Sequence, residues 1–360
     1  MKNKKENTRQ NGEYMTDITE IIKYPELPVI EIVDDLVLVY KEFMVIRAAL
    51  QLRLFDWMAA FGPATPEEIS QGTGILQEYI NALLGMLFYL DIIRKSDKKY
   101  LLSPSTNLHF VSTSNYYQGD IITALASDKS PWFDIKTYLT SPQEKKTFEP
   151  ATEENGAALT EQEIRGMVKN ITTVIRRWAG FKKAENFLEI GTGHGLYAIA
   201  ACQIHPGLNA MVCEKPENAK LLLKNINRFG MEKRIDICSE KHGSLQGTTQ
   251  YDIILASHSL YGQDEHLPQN LRDISSILKD GGLFISNHWF VRPSEGTGMQ
   301  GLYELELGMH NRYHTIQNRE EFENICKKEG LDIFQTGMMR SAYGESTIHM
   351  ANKKTAGEGK

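Results

Sequence analysis

The chain carries the sequence FLEIGTGHGL at residues 187–196, and VCE follows at residues 212–214. The pattern predicts a buried strand, a glycine-rich turn, a helix, and a second strand that ends on Glu214. Glycines at alternate positions let a ligand approach the backbone closely, because no side chain stands in the way. An acid at the end of the second strand lies where a carboxylate binds the hydroxyls of a ribose. The sequence therefore predicts a site for a nucleoside cofactor.

The spacing of the glycines separates two classes of cofactor. A dinucleotide-binding turn follows G-x-G-x-x-G, which would require glycine at position 196, where this chain has leucine. Glu189 is placed to pair with an ammonium group, which a pyrophosphate lacks. We therefore expect S-adenosylmethionine, although a glycine turn that merely joins a strand to a helix is the structural alternative. The cofactor-binding residues predicted from this stretch are Glu189, Gly191, Gly193, Gly195 and Glu214.

Composition sets the limits of this interpretation. A chain of 360 residues should form about two domains, and its net charge of −6 argues against a nucleic-acid partner. No apolar run approaches the roughly 20 residues that a membrane span needs, and residues 1–24 form a polar tail without a secretory pattern. The four cysteines lack C-x-x-C spacing, which predicts reduced thiols in a cytoplasmic protein. A second polar tail is expected at residues 353–360.

Residues 25–115 predict a helical module that ends in a hairpin. Residues 34–61 indicate one long helix, or two helices joined at residues 52–53. Thr65 and Glu68 form a capping box at the start of the next helix. A further helix over residues 76–90 and a hairpin over residues 92–102 complete the order of a winged helix.

A winged helix can bind DNA or a second protein chain. The candidate recognition helix offers Gln77, Glu78 and Asn81 among apolar residues, whereas the basic side chains lie on the hairpin. We therefore expect the module to form a homodimer, with DNA binding as the alternative. A non-catalytic, cofactor-binding regulator that uses this module on DNA is the corresponding alternative function.

The remaining chain predicts a helical linker and a second domain. Residues 116–180 indicate helices at 133–139, 161–168 and 171–178, with a loop at 147–158. Residues 181–352 alternate between strand and helix, which predicts an α/β fold with a doubly wound parallel sheet. Ligands of such a sheet bind at the carboxyl ends of its strands, where the glycine turn also lies.

The second domain resembles class I S-adenosylmethionine-dependent methyltransferases, at residues 188–195, 251–254 and 278–282. The order of the domains resembles small-molecule O-methyltransferases of the acetylserotonin and caffeate type. Their patterns Leu-x-x-Phe-Asp and Thr-x-Glu-Glu-Ile are found here at residues 52–56 and 65–69. The resemblance implies a Rossmann-like methyltransferase domain, an N-terminal winged-helix dimerisation domain, and methyl transfer to a small molecule without a metal.

The chain departs from that family at the general base. The family pattern Leu-His-Asp-Trp-x-Asp-Glu, aligned on Asp264 and Glu265, puts Leu260 or Tyr261 where the histidine belongs, and His258 lies two or three residues away. One interpretation is that His258, Tyr261 or His288 removes the acceptor proton. The other is that no base is needed, because the acceptor is a thioether, a thiol or an amine. Hydroxyl methylation leads, ahead of S- and N-methylation. In a third alternative, the cofactor's positive sulfur serves a reaction without methyl transfer.

Further residues are expected to line the site. Ser239, Glu240 and Ser257 are predicted cofactor contacts, the first two near the adenine. The predicted substrate contacts are Trp178, Trp289, Met309, His310 and Arg312. Glu306, His310 and His314 are spaced so that one helix face would present a divalent-metal set, but we expect substrate contact there and no metal.

Overall fold

The computed structural model describes residues 28–140, 153–238, 250–260, 266–290, 318–341 and 344–353, with four single residues between 301 and 309. No helix among these residues is long and apolar enough to cross a membrane.

The N-terminal module contains four helices and a hairpin, in the predicted order. The helices are α1 (Pro28–Gln51), α2 (Leu54–Phe61), α3 (Pro66–Thr73) and α4 (Gln77–Tyr89), and the antiparallel hairpin is β1 (Ile93–Ser96) with β2 (Lys99–Leu102). Arg53 adopts a left-handed backbone (φ 54°) and separates α1 from α2, as the two-helix alternative predicted. The capping box is confirmed, because the Thr65 amide donates to Glu68 Oε2 at 2.7 Å and the Glu68 amide donates to Thr65 Oγ1 at 3.3 Å.

Five helices connect this module to the sheet: α5 (Pro104–His109), α6 (Gly119–Leu125), α7 (Ile135–Thr140), α8 (Glu153–Ile164) and α9 (Met167–Arg177). The loop predicted at 147–158 is wrong from residue 153 onward, because α8 begins there. Ala157 and Ala158, of the residue type with the highest helix propensity, follow Gly156 in this helix. These preferences outweigh Gly156, on which the loop prediction rested.

The second domain is built on a seven-stranded sheet in the order β5-β4-β3-β6-β7-β9-β8. Its strands are β3 (Asn186–Ile190), β4 (Asn209–Cys213), β5 (Ile235–Cys238), β6 (Tyr251–Ser257), β7 (Leu278–His288), β8 (Leu331–Ser341) and β9 (Gly344–Lys353). The helices of this domain are α10 (Leu196–Ile204), α11 (Ala219–Arg228), α12 (Leu267–Ile277) and α13 (Arg319–Lys328). Strands β3 to β7 pair in parallel, as predicted.

Two features of the sheet differ from the prediction. Strands β8 and β9 form an antiparallel pair, and β9 continues to Lys353, which the sequence placed in a polar tail. Strand β7 begins at Leu278, directly after α12, and so includes the Asp280-Gly281-Gly282 segment. A hydrophobic cluster covers each face of the sheet, so the central strands are buried on both sides. The central parallel strands are near-continuously apolar, whereas β9 contains many polar residues, which explains why the sequence did not indicate a strand there.

Candidate active site

On one face of the sheet, the last inward-facing residue of several strands is polar, whereas the earlier ones are apolar. On β3, β6 and β7 the residues that face α9 and α10 are apolar until the carboxyl end, where Glu189, Ser257 and Asn287 take their place. All three are buried, at 0%, 3% and 0% exposure. Ser257 is paired with Asn287 in the strand register, and the Asn287 amide donates to Ser257 Oγ at 3.0 Å. These residues form a buried polar layer beneath the carboxyl edge.

The glycine turn lies directly above this layer. Gly191, Gly193 and Gly195 all have positive φ (65°, 84° and 69°), a conformation that L side chains rarely adopt. Glu189 holds the turn in shape: its carboxylate accepts hydrogen bonds from the Thr192 hydroxyl and, at 2.6 Å, from the Ala198 amide. Burial raises the pKa of Glu189 to about 7. This acid therefore organises the turn from below, a role that the sequence did not indicate.

Glu214 holds the same turn from the end of β4. Its carboxylate accepts from the Gly193 amide, from the Lys215 amide at 3.0 Å and from Asn218 Nδ2 at 3.1 Å. The remaining amide oxygen of Asn218 is buried and has no hydrogen-bond partner among the described residues. A buried acceptor without a partner beside a buried carboxylate suits a ligand that brings two hydroxyl donors, as a ribose does.

His258 directly follows β6, at the carboxyl edge of the sheet. It has a left-handed backbone (φ 51°), which costs a non-glycine residue about 1 to 3 kcal/mol and is typical of functional sites. Its amide donates to the Asn287 carbonyl at 2.8 Å, and its ring lies 4.3 Å from the Trp289 ring, measured between centroids. The strained turn thus places an imidazole beside an indole at the carboxyl edge, where two of the predicted site residues meet.

Asn287 determines which ring nitrogen of His258 carries the proton. Asn287 Oδ1 accepts from the Ser346 hydroxyl at 2.7 Å, so Nδ2 is the atom that lies 3.3 Å from His258 Nε2. An amide nitrogen donates and cannot accept, so His258 Nε2 accepts and the imidazole carries its proton on Nδ1. While this contact holds, His258 is a neutral hydrogen-bond donor, and it must turn away from Asn287 to take up a proton.

His288 does not fit the catalytic role predicted for it. It is 3% exposed, its Nε2 accepts from the Leu260 amide at 3.2 Å, and its Nδ1 lies 2.9 Å from Ser286 Oγ. Burial lowers the pKa of His288 well below its usual range. Both ring nitrogens are engaged within the protein, so His288 fixes the segment after β6 and is not placed to receive a substrate proton.

The other predicted site residues divide into three groups. Trp178 directly follows α9, in the segment that leads to the start of β3, and packs partly buried against the hydrophobic core. Its contact with substrate stays a prediction. Met309 is buried. The predictions at Ser239, Glu240, Tyr261, His310 and Arg312 lie outside the described residues, as do Glu306 and His314. Among the described residues no group of three His, Cys, Asp or Glu could hold a metal.

Sequence reasoning missed one half-buried acid, Glu163, that the structure brings to the site. The Tyr197 hydroxyl, from the first turn of α10, donates to Glu163 Oε2 at 2.6 Å and also interacts with the Ser257 hydroxyl. Burial raises the pKa of Glu163 to about 7. The available signal was Tyr197 itself, a large polar residue in an otherwise apolar helix start, but its partner lies 34 positions earlier in the chain.

Comparisons with known proteins agree with this geometry. Residues 161–336 match a family model described as a methyltransferase domain. The chain is 24% identical over 331 residues to N,N-dimethyltransferase OxyT of Streptomyces rimosus, which covers 86% of this chain and 92% of OxyT. The structure superposes with an O-methyltransferase family protein of Burkholderia thailandensis (TM-score 0.71, 17% identity, 92% of this chain and 100% of that one). Human N-acetylserotonin methyltransferase in complex with its methyl donor also superposes (TM-score 0.65, 15% identity, 92% and 99%).

The parallel sheet, the glycine turn at its carboxyl edge and the matched domain define a class I methyltransferase fold. The chain is an S-adenosylmethionine-dependent methyltransferase of this class. The cofactor fits the residues present: Glu214 and the Asn218 amide oxygen would hold its ribose hydroxyls, and the open backbone of the three glycines would pass close to it. When bound, the cofactor supplies an electrophilic methyl group on a positively charged sulfur.

Proposed function

We propose that this methyltransferase acts on a small-molecule acceptor, held at the carboxyl ends of β6 and β7 beside His258 and Trp289. The observation that carries the proposal is the strained turn at His258. It places these two rings at the end of β6, next to the end of β3, where the glycine turn forms the cofactor half of the site. The protein aligns the acceptor nucleophile and excludes water. A hydroxyl oxygen is the first candidate for the methylated atom, as the family resemblance implies.

For a hydroxyl acceptor, His258 is the described residue best placed to remove the proton. The imidazole would have to leave the amide of Asn287, because the amide donates to the nitrogen that must become protonated. Binding of the acceptor hydroxyl would then replace the Asn287 contact. Tyr261, the other base candidate, stays a prediction.

Methylation of an amine or a sulfur is the second candidate, and the contact between His258 and Asn287 favours it. A neutral amine already presents a lone pair, so its attack on the methyl group needs no base. In that case His258 keeps its proton on Nδ1 and serves as a hydrogen-bond donor to the acceptor. The name of OxyT, an N,N-dimethyltransferase, supports keeping this candidate.

Two variants separate the candidates by rate. The protein is incubated with methyl-labelled S-adenosylmethionine and matched pairs of small aromatic compounds that carry a hydroxyl or an amine, and products are identified by mass spectrometry. If oxygen is methylated with His258 as base, His258→Ala lowers kcat about 100-fold with the hydroxyl compound, and Tyr261→Phe does not. If the amine is methylated, kcat changes by less than about tenfold in both variants. Retention of the label on the cofactor during turnover would contradict methyl transfer altogether.

We also infer that a second copy of the chain covers the N-terminal module. Helix α1 exposes a run of large apolar side chains over more than two turns: Ile32, Val33, Leu36, Val37, Val39 and Tyr40, each at 45% exposure or more. An apolar helix face of this length is typical of an interface. The hairpin supplies basic side chains, whereas α4 itself supplies none and exposes the large apolar side chains of Tyr79 and Tyr89 together with Gln77 and Asn81. These features favour dimerisation of a winged-helix module over DNA binding.

The dimer is tested by light scattering on the full chain. We expect twice the monomer mass for the wild type and the monomer mass for the double variant Leu36→Glu with Val39→Glu. A wild-type monomer would refute the interface. The four free cysteines support a reducing, cytoplasmic setting for the dimer.

A further inference from the structure

Glu163 joins α8 to the cofactor turn. It lies near the end of α8, and its carboxylate accepts the hydrogen bond of Tyr197, two residues after Gly195. Tyr197 is 1% exposed, so its ring is fixed in the core and its hydroxyl position is set by packing. The carboxylate is therefore held at a defined place beside the glycine turn.

Two acids at this place lack a positive partner. Glu163 lies close enough to Glu189 that its charge helps to raise the pKa of Glu189, after the larger effect of burial. No Lys or Arg in the described part of the chain forms an ion pair with either acid. Carboxylates that are largely removed from water and have no cation beside them are costly, and the cost falls when a positive charge binds between them.

The two acids differ in what they offer to a ligand. Glu189 is fully buried, and both its oxygens bind the turn. Glu163 is half-buried, and Tyr197 occupies one of its oxygens. Strong desolvation together with remaining accessible surface is typical of a side chain that lines a cleft. Glu163 is thus the acid of the pair that a ligand can reach.

We propose that Glu163, held by Tyr197, binds the cationic methyl-donor end of the cofactor and discriminates it from the neutral product. The inference rests on the proposed function. S-adenosylmethionine carries a positive sulfur that becomes neutral when the methyl group leaves. A carboxylate near that sulfur attracts the donor and not the product, which favours exchange of product for fresh donor after each turnover.

The charges that act on Glu163 define how its effect depends on pH. Tyr197 donates to it, Glu189 lies on the facing strand, and Glu214 acts on Glu189 from β4. Burial raises the pKa of Glu163 and so favours its protonated form in the free protein, and the hydrogen bond from Tyr197 opposes this effect. A bound cation favours the carboxylate, so the preference for a cationic ligand should increase from pH 6 to pH 8.

The test measures binding without turnover, by isothermal titration calorimetry with two probes. S-adenosylhomocysteine is the neutral product, and sinefungin carries an amine in place of the sulfonium methyl. In the wild type at pH 8 we expect sinefungin to bind about tenfold more tightly than S-adenosylhomocysteine, as one carboxylate–cation pair at intermediate dielectric constant supports. In Glu163→Gln the ratio should fall toward one, and its pH dependence should become weaker, since Glu189 is then the acid of this pair that still titrates. No acceptor is present, so an acceptor amine cannot cause the effect.

Two further variants make the result interpretable. Tyr197→Phe keeps the ring in the core and should lower the ratio less than Glu163→Gln, and it serves as the test if Glu163→Gln does not fold. Glu161→Gln changes a buried acid two residues away that faces α6 and should leave the ratio unchanged. An unchanged ratio in Glu163→Gln would overturn the inference and leave the proposed function intact. Failure of the wild type to bind either probe would contradict the proposed function itself.

Discussion

The two halves of the carboxyl edge are assembled in different ways. On the cofactor half, Glu189 and Glu214 bind backbone amides within nine and 21 positions, all in one strand–turn–helix–strand unit. On the acceptor half, Asn287 joins Ser257 and Ser346, which lie 30 and 59 positions away. The contacts of the cofactor half therefore need only this local unit to fold. The acceptor half requires the whole sheet, including its antiparallel edge.

The largest effect is expected on cofactor affinity, from a substitution in the cofactor half. Glu214→Ala removes the acceptor of the Gly193 amide and the predicted ribose ligand, so we expect affinity for S-adenosylhomocysteine to fall at least about 100-fold, or about 2.7 kcal/mol. Titration calorimetry measures the loss. Glu185→Ala, an exposed acid at the start of the same unit, serves as the matched control and should bind normally. Near-normal affinity of Glu214→Ala would show that the turn does not depend on this acid.

The next effect separates the two halves. Asn287→Ala removes the side chain that links Ser257, Ser346 and His258, so we expect the free energy of unfolding to fall by about 2 to 3 kcal/mol. Affinity for S-adenosylhomocysteine should change less than about threefold, because the cofactor half is held locally. Chemical denaturation and calorimetry on one preparation measure both quantities. Asn227→Ala, on the exposed face of α11, is the control. Loss of cofactor binding in Asn287→Ala would remove the distinction between the halves.

The smallest effect concerns the contact of α8 with the helices before it. Glu161 accepts from the Asp120 and Ile121 amides at 3.2 and 2.9 Å, and burial raises its pKa to about 8 from an ordinary value of 4.5. Because the folded pKa is higher than the unfolded one, this contribution to stability is complete below about pH 4.5 and is lost as the pH rises toward 8.

Glu161→Gln imitates the protonated acid and should remove that loss. The Gln amide nitrogen cannot accept from one of the two backbone amides, so we expect a fixed deficit at every pH, on which the variant gains about 1 to 2 kcal/mol relative to the wild type between pH 5 and pH 8. Differential scanning calorimetry across this range measures the difference. Glu163 and Glu189 titrate in both proteins, so their effect cancels. A constant offset between the proteins at every pH would contradict the assignment.

The contrast between the halves also explains what the sequence could predict. Residues 187–214 carry their contacts within themselves, so the glycine spacing and Glu214 were sufficient to infer the cofactor. The base candidates were chosen by residue type and distance from a family pattern. His258 and Tyr261 lie near that pattern, whereas His288 was chosen by residue type alone, and its two ring nitrogens are engaged by the Leu260 amide and the Ser286 hydroxyl. Trp178 was chosen by residue type alone, and its side chain packs partly buried against the hydrophobic core.

Glu163 is a site residue that sequence reasoning did not identify. It lies in a helix with few apolar residues, among several other acids, and nothing in its local sequence distinguishes it from a solvated side chain. Its role depends on Tyr197, which belongs to the local cofactor unit. The contact between Glu163 and Tyr197 could be recognised only in the folded structure, where α8 and α10 lie side by side.

The most direct test of the account is a crystal structure of the protein with S-adenosylhomocysteine. We predict that the ribose hydroxyls contact Glu214 and the amide oxygen of Asn218, and that the sulfur lies at the edge between Glu163 and the His258–Trp289 pair. The account is contradicted if the ribose lies away from Glu214, or if the sulfur faces neither Glu163 nor His258.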